Sequence, residues 1–224
     1  SRGCPYHCTF CMREGFRGKF RTKDPERIRI ELERCKAVGH RFLAMIDEIF
    51  GMGQHWLEQF CDIIGPLEFF WGIQTRTECL SPERIERLIT AGCISIEVGL
   101  ESADPEVAAA MGKNTDLAHL EASIRKACEL GIQQVRLFCI FGAPRETPES
   151  IARTEAYLMR FVELTAVQAD VYPMMPLPGT AVWRLAREKG YPMEGWADVD
   201  RYAGVIDNAF SQPRQVERIC ALFE

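Results

Sequence analysis

The chain has 224 residues, 47% hydrophobic and 26% charged, with a formal net charge of −5. A chain of this size buries about 70% of its unfolded surface and needs no cross-links to hold a core. The charge offers no overall attraction for nucleic acid or an anionic surface, and no apolar run approaches the ~20 residues that span a bilayer. No basic start leads into an apolar segment, so no secretory signal is read.

The first stretch, SRGCPYHCTFC, places Cys4, Cys8 and Cys11 on one loop with Gly3 and Pro5. Because this motif begins so close to Ser1, the chain reads as a piece of a longer polypeptide. A basic run follows (Arg13, Arg17, Lys19, Arg21 and Lys23), expected as a solvated or interdomain face and not as nucleic-acid contacts. Asp24-Pro25-Glu26 then starts a helix that stops at Gly39: an N-cap side chain, a first-turn proline and an acid at the positive helix end. A strand is expected over 41–46, running into Asp47-Glu48, and a second over 68–75, running into Arg76. Ser81-Pro82-Glu83 starts the next helix, closed by Gly92, and a third strand covers 94–100. A helix over 117–130 precedes a strand over 134–142, Thr147-Pro148-Glu149 starts another helix, and a weaker strand lies over 167–174. From Tyr191 to Glu224 the pattern breaks up, so one barrel unit is expected over 1–190 and the start of a C-terminal segment over 191–224.

The strands are near-continuous apolar runs, which suits strands covered on both faces in a parallel sheet. Alternation with helices implies βα units and right-handed crossovers. A closed or partly closed barrel fits best, with a doubly wound open sheet as the rival. No GxGxxG follows a strand, which weakens the dinucleotide-binding form of that rival. In barrels of this kind the chemistry sits at the C-terminal strand ends. Those ends hold Asp47-Glu48, Thr75-Arg76, Gly99-Leu100-Glu101-Ser102, Gly142-Ala143-Pro144 and residues 176–180.

Thiols cluster in this way for metals. A structural zinc site takes four ligands, commonly as two CxxC pairs; here there are three cysteines, and His7 lies too close in sequence to be an easy fourth. A [4Fe–4S] cluster held by three cysteines leaves one iron open for a small molecule. The CxxxCxxC spacing, with Phe10 before the last cysteine, is specific for the second arrangement. Of the other seven cysteines (Cys35, Cys61, Cys79, Cys93, Cys128, Cys139 and Cys220) most are expected as small buried hydrophobes in a reducing, cytoplasmic setting.

These residues resemble the radical S-adenosylmethionine (SAM) superfamily, and within it the cobalamin-binding branch. The resemblance rests on six elements in order: RGCPYHCTFC with the basic segment behind it, Asp47-Glu48 in IDEIF, Gln74-Thr75-Arg76, GLESADPEVAAAMGK, GAPRETPES and Pro178-Gly179-Thr180. It spans nearly the whole chain. It implies an α/β fold, a partial (β/α)6 radical SAM barrel whose first strand precedes the cysteine loop and is missing from this chain. It also implies a cobalamin-binding domain upstream, likewise absent from this chain.

The implied cofactors are a [4Fe–4S] cluster on Cys4, Cys8 and Cys11, SAM on its open iron, and cobalamin. The implied cofactor-binding residues are Phe10 near the SAM adenine, Asp47, Glu48, Arg76, Gly99, Glu101 and Ser102. Glu48 is also a possible fourth ligand of the open iron, which would impair radical cleavage and favour polar methyl transfer. Beside each stands a structural reading: Phe10 as core filling, Asp47 and Glu48 as a solvated pair, Glu101 as a cap or ion-pair member, Arg76 as a salt bridge. The implied activity is cobalamin-dependent methylation of a carbon on a small-molecule substrate, with an external electron donor and no membrane. The rivals are a non-methylating ring-forming or oxidising enzyme, a methylthiotransferase, and an iron–sulfur electron carrier without catalysis.

Overall fold

The computed structural model describes residues 1–12 and 19–190. Arg13, Arg17, Cys220 and the expected C-terminal segment lie outside the described residues. Strands β1 (Phe42–Met45), β2 (Phe70–Arg76), β3 (Cys93–Glu101), β4 (Gln134–Phe141) and β5 (Val167–Pro173) form one sheet in chain order. Every neighbouring pair is parallel. An unreversed order is how a barrel winds; a doubly wound sheet reverses at a switch point. The sheet is therefore a five-stranded partial barrel.

The helices are α1 (Pro25–Ala37), α2 (Gln54–Ile64), α3 (Pro82–Thr90), α4 (Pro105–Ala110), α5 (Leu117–Glu129), α6 (Pro148–Leu158) and α7 (Ala181–Glu188). Three start at the expected proline signals, and their caps close as read: Asp24 accepts from the Arg27 N–H, Ser81 from the Arg84 N–H, and Thr147 forms a reciprocal capping box with Ser150. The reading did not place α2, α4 and α7 individually. The N-cap of α2 is Gly53, which makes no side-chain bond, so α2 carries little local signal; α4 has only 6 residues, although it opens on Asp104-Pro105-Glu106 with Asp104 accepting from the Glu106 and Val107 N–H groups.

One expectation needs correcting. The strands are not covered equally on both faces. In β4 every second residue is buried (Val135, Leu137, Cys139, Phe141) and those between are half-buried. The buried set joins Trp71, Ile73, Ile96 and Val98 with helix residues such as Leu57, Leu88, Ile124 and Leu158 in one core. Most of the helices cover the convex face of the sheet, while α4 and α7 reach the end of the other face through Val107 and Val182, which cluster with Ile140. The apolar look of β4 misleads because Phe138 and Ile140 lie on the other, concave face, where Phe138 neighbours the Tyr172 ring and Ile140 packs on a small cluster with Val107, Met174 and Val182.

Two local devices set the strand ends. Phe50 sits in an aromatic knot with Trp56, Phe60 and Trp71, at centroid separations of 5.1–5.8 Å. Its carbonyl accepts from Thr75 Oγ1 at 2.7 Å, and its N–H donates to the Gln74 carbonyl at 3.1 Å. The loop carrying Asp47 and Glu48 is thereby pinned to the end of β2. At the other end of β2, Gly92 has φ +96°, and a Cβ there would stand 2.3 Å from the Phe69 carbonyl. Only glycine permits that approach.

Candidate functional site

The cysteine loop lies between the C-terminal end of α4 and the N-terminal end of α7. Thr9 makes both attachments: its N–H and hydroxyl donate to the carbonyls of Met111 and Ala110, each at 3.1 Å, and its carbonyl accepts from the Val182 N–H at 3.1 Å. Gly112, at φ +73°, allows the loop to close on the turn after α4, since a Cβ there would meet the His7 carbonyl at 2.8 Å. Phe10 packs, half-buried, on a satellite core of Val107, Met111, Ala143, Met174 and Val182. Gly3, just before Cys4, donates its N–H to Glu48 Oε2 at 2.9 Å. Asp47 is buried and accepts from the Ser1 hydroxyl at 2.5 Å.

Cys4, Cys8 and Cys11 lie on this loop at intermediate burial and form no disulfide. Beside them, Thr9, Met12, Pro178, Thr180 and Arg184 help line a cleft of about 280 Å³. Among the described residues no group of three or more His, Cys, Asp or Glu side chains gathers closely enough for a single metal ion. By contrast, Cys61, Cys93 and Cys139 are fully buried in the core, and burial pushes their thiols up, Cys61 to about 11 and Cys93 to about 12. Thiols of that kind are inert packing groups.

Arg76 ends β2 and is 6% exposed. Its guanidinium grips Glu78 at both nitrogens, Nε at 3.1 Å and Nη2 at 2.7 Å, and donates from Nη1 to the Cys8 sulfur at 2.9 Å. The Tyr6 ring lies 3.9 Å from its central carbon. Burial works to lower the Arg76 pKa, but Glu78 and the Cys8 sulfur outweigh it and hold it above its ordinary value. Burial likewise opposes ionisation of Glu78, yet the bonds from Arg76 hold its carboxyl below the usual range.

On β3 the backbone bends to aim a carboxylate. The β3–β4 register shifts between Gly99 and Glu101, and Glu101 has φ +63°. A bulge re-aims side chains, and a non-glycine residue in this region carries strain. Glu101 is 7% exposed and pairs with Lys113 Nζ at 3.0 Å; Lys113 also donates to the Gly99 carbonyl at 3.0 Å. A Cβ on Gly99 would stand 2.4 Å from Glu101 Oε1 and 2.9 Å from Lys113 Nζ, so the pair lies over the glycine. The Ser102 hydroxyl turns the other way, against Thr154 of α6 at 3.2 Å and the Asp104 N–H at 3.1 Å.

The sequence reading quoted Tyr6 and Lys113 as parts of motifs without a role, and it missed Glu78. It also missed the charges of the concave face. Arg136 stands between Glu97 at 3.6 Å and Asp170 at 3.2 Å, half-exposed inside the arc. Gln74 and Gln168 share the register row of Glu97 and Arg136. Spacing along each strand could have shown these polar positions as one face, because they recur at every second residue. At the end of β4, Glu146 accepts the Gly142 N–H at 2.6 Å, and burial pushes its carboxyl up to about 7.

A family model, that of the Radical SAM superfamily, matches residues 1–158. The bacteriochlorophyllide d C-8(2)-methyltransferase of Chlorobaculum tepidum is 24% identical over 95% of this chain and 49% of its own length. The hopanoid C-2 methylase of Rhodopseudomonas palustris is 30% identical over 84% of this chain and 37% of its own length. The anaerobic magnesium-protoporphyrin IX monomethyl ester cyclase of Rubrivivax gelatinosus is 30% identical over 69% and 28%. The chain thus spans less than half the length of these relatives. Among solved structures, TsrM of Kitasatospora setae, a radical SAM methyltransferase with cobalamin and a [4Fe–4S] cluster bound, superposes with a TM-score of 0.74 at 20% identity. That superposition covers 84% of this chain and 38% of TsrM, and at this identity it speaks to the fold. The partial barrel, the three-cysteine loop across its strand ends and a family match over residues 1–158 agree, and the chain belongs to the radical SAM superfamily.

Proposed function

We propose that this chain is the barrel of a cobalamin-dependent radical SAM methyltransferase acting on a carbon of a small-molecule substrate. The observation that carries the reading is the cysteine loop, fixed through Thr9 to both α4 and α7 with a cationic donor aimed at one of its sulfurs. A buried guanidinium that donates to the Cys8 sulfur complements the negative charge of a sulfur-held cluster. When bound, the cluster on Cys4, Cys8 and Cys11 supplies the electron for SAM cleavage and cobalamin carries the methyl group.

The chain's own residues supply position and polarity. Glu101 and Lys113 present a carboxylate and an ammonium, the groups that recognise the ends of SAM. Gly99 leaves the room that their pairing requires, Ser102 braces the strand end from behind through Thr154, and Phe10 is assigned to the SAM adenine. Asp47 and Glu48 fix the start of the cysteine loop, and Glu48 is a candidate fourth ligand of the open iron. The concave face, with Glu97, Arg136 and Asp170, offers polar anchors to a substrate inside the barrel. An external reductant and a cytoplasmic setting complete the reading. No helix of the described residues is long and apolar enough to cross a membrane.

The test uses the full-length protein, reconstituted without oxygen with iron, sulfide and cobalamin, then incubated with SAM and reductant. Formation of both 5′-deoxyadenosine and S-adenosylhomocysteine is the expected result. S-adenosylhomocysteine alone shows polar methylation and makes Glu48 the first residue to replace. 5′-Deoxyadenosine alone supports a non-methylating reading, for which the cyclase relative speaks. Absence of both products overturns the proposal.

A further inference from the structure

We infer that Arg76 is a positioning residue that tunes the reducibility of the cluster through Cys8, with Glu78 and Tyr6 holding its guanidinium in place. The inference rests on the proposed cluster-binding role of the cysteine loop.

Arg76 has three separate constraints, and together they leave it one orientation. Glu78 fixes one edge of the fork by two bonds, at 3.1 and 2.7 Å. The Tyr6 ring stacks on its plane at 3.9 Å. What remains, Nη1, points at the Cys8 sulfur at 2.9 Å. Glu78 lies in the 3-10 turn Thr77–Cys79 directly after β2, so the clamp is built from one strand end and the cysteine loop alone. Tyr6 lies between Cys4 and Cys8, and the stack therefore also fixes the stretch between two of the thiols.

The physical effect has a definite sign. Adding an electron to a cluster adds negative charge, and an N–H donor to a ligating sulfur stabilises the more negative state more strongly. Glu78 offsets the long-range charge of Arg76, so the influence on the cluster is mainly that of the local N–H···S bond. Lysine cannot reproduce it: a single ammonium has no planar fork to hold Glu78 with two bonds while stacking on Tyr6 and donating to sulfur.

The experiment compares full-length wild type, Arg76→Gln, Arg76→Lys and Arg84→Gln, each reconstituted anaerobically. Arg84 also sits at this end of the sheet, but its guanidinium bonds Gln54 and the carbonyls of Gly51 and Cys79. Iron and sulfide content is measured first, then the reduced fraction in an EPR-monitored redox titration. The expected result is normal loading in all four. In Arg76→Gln the reduced-to-oxidised ratio at a fixed poise falls about tenfold, a shift of about 59 mV for one electron. Arg76→Lys is intermediate and Arg84→Gln matches wild type. Normal loading with an unchanged ratio in Arg76→Gln overturns the inference and leaves the cluster reading standing. Loss of loading in both Arg76 variants, with circular dichroism unchanged, overturns it too, because Arg76 would then build the loop and not tune it. Wild type that takes up no cluster overturns the reading beneath it.

Discussion

The two faces of the sheet are made by the same strands and obey different rules. On the convex face Ile96, Val98, Val135 and Leu137 are at most 2% exposed and pack against helices. On the concave face, Glu97, Arg136 and Asp170 are about one-third exposed and pair with each other. Adjacent residues on one strand point to opposite sides, so a single stretch of chain carries stability on one parity and polar chemistry on the other. The convex face resists change because it is close-packed. The concave face tolerates change in stability terms but holds the groups a ligand would meet.

Glu101 and Lys113 fall between these cases, charged yet buried, and the largest effect is expected there. Lys113→Met leaves a buried carboxylate unpaired and should lower the unfolding free energy by about 3–5 kcal/mol. The double variant with Glu101→Gln should recover most of that loss. Urea denaturation of both variants checks this, and equal loss in both would mean the pair contributes little. Next comes the convex face itself: Leu137→Ala, at a fully buried position, should cost about 2–5 kcal/mol, read from the shift in denaturation midpoint.

Glu146 tests the end of β4 through pH. Its carboxyl is raised by burial from 4.5 to about 7. Between those values the folded chain keeps a proton that the unfolded chain has lost, so the stability from this group falls as pH rises from about 4.5 to about 7. Glu146→Gln should remove that slope, with a gain of about 1–3 kcal/mol above neutrality. Melting temperature across this range measures it; parallel curves for variant and wild type would reject it. The smallest effect is on the concave face, where Arg136→Gln breaks two half-exposed pairs. It should change stability by less than about 1 kcal/mol, in clear contrast to Leu137→Ala one residue away.

How far these features can be read before folding depends on how local their causes are. Helices α1, α3 and α6 announce themselves through Asp24, Ser81 and Thr147, each followed by proline, because capping is decided within four residues. The five strands were found as apolar runs, yet their coverage was misjudged. Residues such as Phe138 and Ile140 are apolar on the face turned away from the main core, and hydrophobicity alone does not say which face meets that core. Arg76 was legible as a fork at a strand end, but its partners were not. Cys8 lies 68 residues away, and no periodicity links a loop to a distant strand.

What the sequence determined by itself is the order of elements, the three-thiol loop and the candidate residues at strand ends, since these follow from local propensity, capping and spacing. What only the tertiary structure decided is partnership: Arg76 with Cys8 and Tyr6, Glu101 with Lys113 over Gly99, Glu97 and Asp170 around Arg136. These pairs exist because parallel strands in sequential order bring their ends and every second side chain to a common place. That convergence is set by register and curvature, which no short stretch of chain encodes.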